Sequence, residues 1–404
     1  MDRRSFFKYA SFSGAMTAFL GGLHPALALT WQKVGTTVPG TPTKVRMPKR
    51  KNSLLGGGVI AAGQDQAIAI RTDGLVFACG RNNQGQLGDN STIDKSSYIQ
   101  AQGVSNVTVL AGGQQFSLAL RSDGLVFGCG YNGSGQLGNN SIVKQSTYVQ
   151  AVGVSNIVAL VAANTHSVAL RSDGRVFACG YTGYGVLGDN TNIPKSTFVQ
   201  TVGVSNAVAL ATGMNHSIAL RSDGLIFGTG FNGYGQLGDN SASNRITYVP
   251  AVGISNVVAL AAGITHSVAL RSDGLVFACG YGITGMLGNN SIVNKSSYVQ
   301  ALGVSSILAI AAGSNHSVAL RSDGLVFACG ENYLGELGDN TNVGKSTYVQ
   351  VLGVSGVVAV AAGSSYSIAL RSNGIVFACG YNGNGQFGNN SIVGKSTYVQ
   401  AMSP

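Results

Sequence analysis

Residues 51–400 are one fifty-residue phrase written seven times in tandem, with no insertion or deletion in any copy. A period that strict makes each copy one supersecondary unit, able to bury its apolar faces only against the copies beside it. Four strand-like runs stand out in the third copy: NIVALVAA (156–163), HSVALR (166–171), RVFACG (175–180) and STFVQTVG (196–203). Ser172-Asp173-Gly174 is a hairpin signal, and the Gly-rich YTGYGVLGDN joins the third run to the fourth. No stretch carries a sustained helical period with caps. Four antiparallel strands per copy match one blade of a propeller, so the predicted fold is all-β, a seven-bladed β-propeller of four-stranded blades over residues 56–404.

The letters kept from copy to copy fit that geometry. Runs such as VVALAAG and LVFACG are apolar on both alternating faces, which suits a strand whose sheet is covered on both sides by neighbouring blades. The first run is mostly Ala, Val and Gly, as expected of the innermost strand where seven strands crowd an axis. Gly124, Gly130, Gly135 and Gly138 have equivalents in every copy, as do Phe127 and Asn140. Glycines at fixed offsets supply positive φ or close backbone approach, and Asn suits the turn that follows. A composition of 45% hydrophobic and 10% charged residues excludes a disordered chain.

The formal charge of +10 suggests nucleic acid until it is located. Residues 1–51 hold nine Lys/Arg against Asp2 alone, and the remaining residues carry a net +2. The repeats are nearly neutral, so no nucleic-acid partner is expected. Residues 1–28 read as a removable export signal: Arg3-Arg4, Phe6-Phe7 and Lys8, a short Ala/Gly/Ser-rich apolar stretch, and a small-x-small site at Ala26-Leu27-Ala28. The apolar stretch is too short and Gly-rich for a stable membrane span. It resembles the bacterial twin-arginine signal, with Asp2 and Phe7 as mild departures, which implies a periplasmic or extracellular destination after folding in the cytosol. Residues 29–55 form a basic polar linker. Its PKRK reads as a solvated tether, and the competing nuclear-address reading conflicts with the bacterial signal ahead of it. TPTKVRM (41–47) either adds a strand to the last blade or stays loose.

Several residue sets invite catalytic or metal chemistry. Cys79, Cys129, Cys179, Cys279, Cys329 and Cys379 each fall on a third strand, roughly 15 Å from the axis at ~4.8 Å per strand. Neighbouring thiols are then too far apart for a disulfide or zinc site, and they read as small buried hydrophobes. His166 and Asp173 lie seven residues apart, roughly 23 Å along a strand, which rules out a Ser-His-Asp triad. His166, His216, His266 and His316 are expected to satisfy local turns. Asp189-Asn190 and its equivalents read as turns rather than calcium sites. Each arginine from Arg71 to Arg321 has an Asp two residues on, and reads as a local ion pair. No cofactor, metal or catalytic residue is expected, and the expected state is a monomer.

The edited letters concentrate in two connections. Between the first and second strands the copies read QDQ (64–66), QQF, NTH, MNH, ITH, SNH and SSY; after the third they read RNNQ (81–84), YNGS, YTGY, FNGY, YGIT, ENYL and YNGN. In an antiparallel blade both connections emerge at one end, so both decorate one face of the disc. Arg81, Tyr131, Tyr181, Phe231, Tyr281, Glu331 and Tyr381 share one equivalent position there, with Tyr184, Tyr234 and Tyr333 nearby. Aromatic anchors amid Asn, Ser and Gly have the chemistry of a recognition surface. The alternative is that the rings pack over the Gly-rich loop.

The pattern A-A-G-x-x-H-S-x-A-L-x-x-D-G-x-V-F-x-x-G-x-N-x-x-G-Q-L-G resembles the repeat of the regulator of chromosome condensation (RCC1) family, a seven-bladed propeller, over residues 56–403. One departure is Cys or Thr229 where the family commonly has Trp before the strand-ending Gly. The resemblance implies a binding scaffold that serves unrelated tasks. Three functions compete: an exported non-enzymatic module that binds a protein or cell-surface ligand, including enzyme inhibition as in a related secreted propeller; a guanine-nucleotide exchange factor; and a hydrolase or lyase at the channel mouth. The exchange activity resembles one that depends on a wedge inserted in a blade, and no copy has an insertion. The enzyme reading lacks a cluster of acids, His or metal ligands that breaks the repeat.

Overall fold

The computed structural model describes residues 60–401, together with Met16–Thr17, a short strand paired antiparallel with Ile60–Ala62. The export-signal and tether expectations, and TPTKVRM, lie outside the described residues. Each copy forms one sheet of four consecutive antiparallel strands, seven sheets in a ring, as expected. In the third blade the strands are Ile157–Ala162, His166–Arg171, Val176–Gly180 and Lys195–Gln200, running from the axis outward. The outer strand starts one residue earlier and ends three residues sooner than the apolar run at 196–203 suggests. Gly203 sits at positive φ in the turn that leaves the blade.

Strand pairing is set by the hairpin. Gly174 N donates to Arg171 O at 2.9 Å, and Asp173 Oδ1 accepts from Arg175 N at 3.2 Å, closing the Ser-Asp-Gly turn. Arg171 then pairs with Asp173 at 2.7 Å and lies over the Phe177 ring at 4.8 Å. The local ion pair read from the sequence is present in six copies. The last, with Asn373, keeps only the stack of Arg371 on Phe377. Because these pairs are exposed, solvent screens them and they add little to stability.

The core lies between blades rather than within one. One apolar cluster joins Leu118 and Leu137 of the second blade to Leu160, Cys179 and Phe198 of the third; another joins Ile60 and Ala62 of the first to Ile368 and Leu370 of the seventh. The third-to-fourth connection dips into each junction, burying Leu137 and its equivalents from Leu87 to Phe387. Gly138 makes that descent possible at φ +68°, where an added Cβ would sit 2.6 Å from the Phe198 ring. Asn140 then donates its N–H to Ser196 O of the next blade at 2.9 Å. The same bond recurs at every junction, and Asn390 N to Ser96 O at 3.0 Å closes the ring from seventh to first blade. No helix among the described residues is long and apolar enough to cross a membrane.

Candidate functional site

Both edited connections lie at one end of each blade. Tyr181 N donates to Thr165 O at 2.8 Å, tying the third-to-fourth connection to the first-to-second one, and the equivalent bond recurs in every blade. The Ser-Asp-Gly hairpins lie at the opposite end of the strands.

A buried asparagine shapes most of these loops. Asn132 Oδ1 accepts from Leu137 N at 3.0 Å, while its Nδ2 donates to Asn139 Oδ1 at 3.0 Å, Ser141 O at 2.9 Å and Val143 O at 3.2 Å. Asn82, Asn232, Asn332 and Asn382 do the same work. The variable four-letter string therefore contains one structural letter. Where Thr182 replaces it, the loop tightens into a 3-10 turn at Gly183–Gly185 and Tyr184 takes φ +64°, an uncommon conformation for a non-glycine residue. Asp189 fills a turn role, accepting from Thr191 N at 3.0 Å and facing Lys195 at 3.6 Å. Among the described residues no group of three or more His, Cys, Asp or Glu is placed to hold a metal.

The ten candidate residues separate into groups. Arg81 pairs with Asp65 at 3.4 Å, and Glu331 accepts from Asn315 Nδ2 at 2.6 Å. Tyr131, Tyr181, Phe231 and Tyr381 lie over Gly133, Gly183, Gly233 and Gly383, where a Cβ would strike the ring. Ring-over-glycine packing is thus present. It does not account for the third to fifth blades, where Tyr184, Phe231, Tyr234 and Tyr281 form an aromatic row across two blade boundaries, with centroids 5.0, 5.7 and 4.9 Å apart. Tyr184 at the end of the row is 50% exposed, Tyr181 in the same loop 43%, and Tyr333 in the sixth blade 68%. An open hollow next to the row is lined by Tyr181, Tyr184, Pro194, Asn244 and Ile246.

Two expectations need correction. The third letter of the first variable triplet is not on the surface: Gln66, Phe116, His166, His216, His266, His316 and Tyr366 are all buried. They begin the second strand and face the next blade, so their variation is variation in packing. Nor do the histidines satisfy local turns. His166 Nε2 lies 3.0 Å from Ser217 Oγ of the next blade, and Ser217 gives its one proton to Val186 O at 3.1 Å. His166 must then carry its proton on Nε2 and donate it. His216–Ser267, His266–Ser317 and His316–Ser367 repeat this bridge. Burial holds His166, His216 and His266 neutral, pushing their pKa down to about 3, and that of His316 to about 4. The first blade has Ala67 in the serine position, and the seventh blade facing it uses Tyr366, whose hydroxyl donates to Gln66 O at 2.6 Å.

The six thiols are buried and free, with Cys179 Sγ 3.5 Å from Gln136 O. Burial pushes Cys79 up to about 12, which keeps it an unreactive thiol. One ionisable group was not singled out from sequence. Glu336 stands where four other copies have Gln, accepts from Leu334 N at 2.8 Å, and is pushed up to about 7 by burial, with Glu331 adding to the rise.

Comparison with known proteins matches this architecture. The family profile described as RCC1-like domain covers residues 140–403, and RCC1 repeat profiles cover residues 73–120 and 107–136. Prp20p from Saccharomyces cerevisiae, described with its binding properties to Gsp1p and histones, has a TM-score of 0.73 at 24% identity, over 82% of this chain and 87% of its own. Human WBSCR16 gives 0.70 at 23% identity, over 89% and 99%. At these identities the likeness shows the fold alone. No curated protein matches the chain by sequence. Seven four-stranded blades, the Gly-rich dipping loop and a profile match over more than half its length place this chain in the RCC1-like domain family.

Proposed function

We propose that the chain is a non-enzymatic binding module, exported through its twin-arginine signal, whose loop face recognises a protein or cell-surface ligand. The observation that carries the reading is the aromatic row from Tyr184 to Tyr281, flanked by exposed Tyr181 and Tyr333. Large rigid rings with polar edges, held by a stiff scaffold, bind at low entropic cost. Enzyme inhibition is one form this recognition takes. Prp20p, with the same fold, is described as binding proteins, which fits a propeller used as a platform. An exchange activity lacks support, since every blade keeps its four strands and no copy of the repeat carries an insertion.

The test is affinity capture from the exported fraction by mature protein, against the variant Tyr181→Ala/Tyr184→Ala/Tyr333→Ala. These side chains are exposed, so unfolding should be nearly unchanged while capture is lost. Equal capture by both proteins would remove the loop-face reading.

A further inference from the structure

The most exposed aliphatic side chains of the described residues all come from one place. Nine Ile and Val residues are 59–68% exposed, while every other large aliphatic residue is at most 54% exposed. All nine sit at the tip of the third-to-fourth connection, just before the outer strand, in six of the seven blades. Asn132 fixes one such tip to the loop face by donating to Ser141 O and Val143 O, and Gly394 lies against Gly380 at the end of the third strand. The tips therefore stand around the perimeter of the face that carries the tyrosines.

Two kinds of tip alternate, and their edits are correlated. Blades with Asp at the turn (Asp89, Asp189, Asp339) pair it with a lysine at 3.6–3.8 Å and show a single aliphatic residue: Ile93, Ile193 or Val343. Blades two, five and seven have Asn there instead (Asn139, Asn289, Asn389) and an aliphatic pair: Ile142-Val143, Ile292-Val293 or Ile392-Val393. With the acid gone, Lys295 and Lys395 at the matching position have no ion-pair partner among the described residues, nor has Lys144, which stands one residue earlier in blade two, where Gln145 takes the matching position. The three most apolar tips are thus the three with an unneutralised cation. The fourth blade, with Ala242-Ser243, has no apolar tip, and its Arg245 is paired with Asp239. Asp94, the acid nearest a tip, accepts from Asn82 N at 2.7 Å.

We propose that this rim docks on an anionic phospholipid bilayer, its aliphatic tips entering the headgroup boundary while Lys144, Lys295 and Lys395 meet lipid phosphates. The inference rests on the loop-face reading and names the cell-surface ligand. Separate wedges spread around a disc can all be engaged at once only by a flat partner. A protein hot spot instead gathers its anchors at one centre. Aliphatic wedges, lysines and amphipathic tyrosines on one face are the set that holds peripheral proteins at the interface. The docking is peripheral, and no helix among the described residues is long and apolar enough to cross the bilayer.

The experiment is cosedimentation of the full chain with vesicles of equimolar phosphatidylglycerol and phosphatidylcholine, or of phosphatidylcholine alone. The wild type should pellet with the anionic vesicles, and high salt should weaken binding. Lys144→Gln/Lys295→Gln/Lys395→Gln should bind about a hundredfold more weakly, about fivefold per lysine from about 1 kcal/mol each. Replacing the three aliphatic pairs with serine should cost at least about tenfold through lost apolar insertion. That variant retains the basic linker of residues 29–55, so undiminished pelleting by it would assign the binding to the linker and overturn the proposal. A wild type that ignores anionic vesicles overturns it as well. Capture of an exported protein alongside indifference to vesicles defeats this inference and leaves the loop-face reading standing; failure of both removes both.

Discussion

Acidification from about pH 7 to about pH 5 is expected to weaken the ring through its four bridging histidines. Each is neutral in the fold, with its pKa depressed to about 3 or 4, and titrates near 6.5 when unfolded. The unfolded chain then binds more protons, so this stability is complete above 6.5 and drains away as the pH falls toward 3. A span of about 1.5 pH units at about 1.4 kcal/mol per unit gives about 2 kcal/mol per histidine, or about 8 kcal/mol for four. Glu336 works the other way. Its folded pKa is raised to about 7 from 4.5, so acidification restores about 2 kcal/mol through it. The net loss of about 6 kcal/mol is a large share of a typical folding stability. Urea midpoints followed by near-ultraviolet circular dichroism at both pH values measure it. The informative variant is His266→Gln, because the first blade already uses Gln66, whose Nε2 reaches Gly113 O at 3.0 Å. Its acid-induced loss should be smaller than wild type by about 2 kcal/mol. Equal losses in the two proteins, or a wild type indifferent to this pH change, would refute the assignment of neutral, donating histidines.

Three further outcomes are expected. Glu336→Gln installs the residue of four other copies and should stabilise the protein at pH 8 by up to about 3 kcal/mol while changing little at pH 4, as read from midpoints at the two pH values. Gly138→Val places a β-branched side chain at φ +68° and against Phe198, so the soluble folded yield should fall sharply, with a loss of more than about 3 kcal/mol in whatever survives. Arg3→Lys/Arg4→Lys should retain the protein in the cytosol, scored by fractionation and immunoblot; normal export would refute the twin-arginine reading.

The repeat made the fold legible, because a fixed period reports the unit, its strands and the need for neighbours in one pattern. Strand ends came within one to three residues. The inward dip of the loop around Leu137 and Gly138 was foreshadowed only as recurring glycines. The inter-blade bridge was harder to read, since His166 and Ser217 are 51 residues apart and a strand pattern says nothing about which side chains meet across a junction. A signal did exist: the one copy lacking the serine, at Ala67, follows in the ring a blade that has Tyr366 instead of His. The ten candidate positions share one end of the blades, and their exposure differs because local packing decides it: Gly133 lets Tyr131 lie down, whereas Tyr184 stands up on a turn whose asparagine is missing.

The bond from Asn390 to Ser96 is the same as the six others like it. Many closed rings are fastened by a special clasp, a strand borrowed from the far terminus to zip the final sheet. Here the seam between last and first repeats the asparagine N–H bond of the other junctions, with the Tyr366 hydroxyl on Gln66 O standing where four of them use a His–Ser bridge. Joining residue 401 to residue 60 and severing the chain at a different junction would relocate the ends without altering what holds the circle shut, which makes the molecule a natural frame for permuted or swapped sectors.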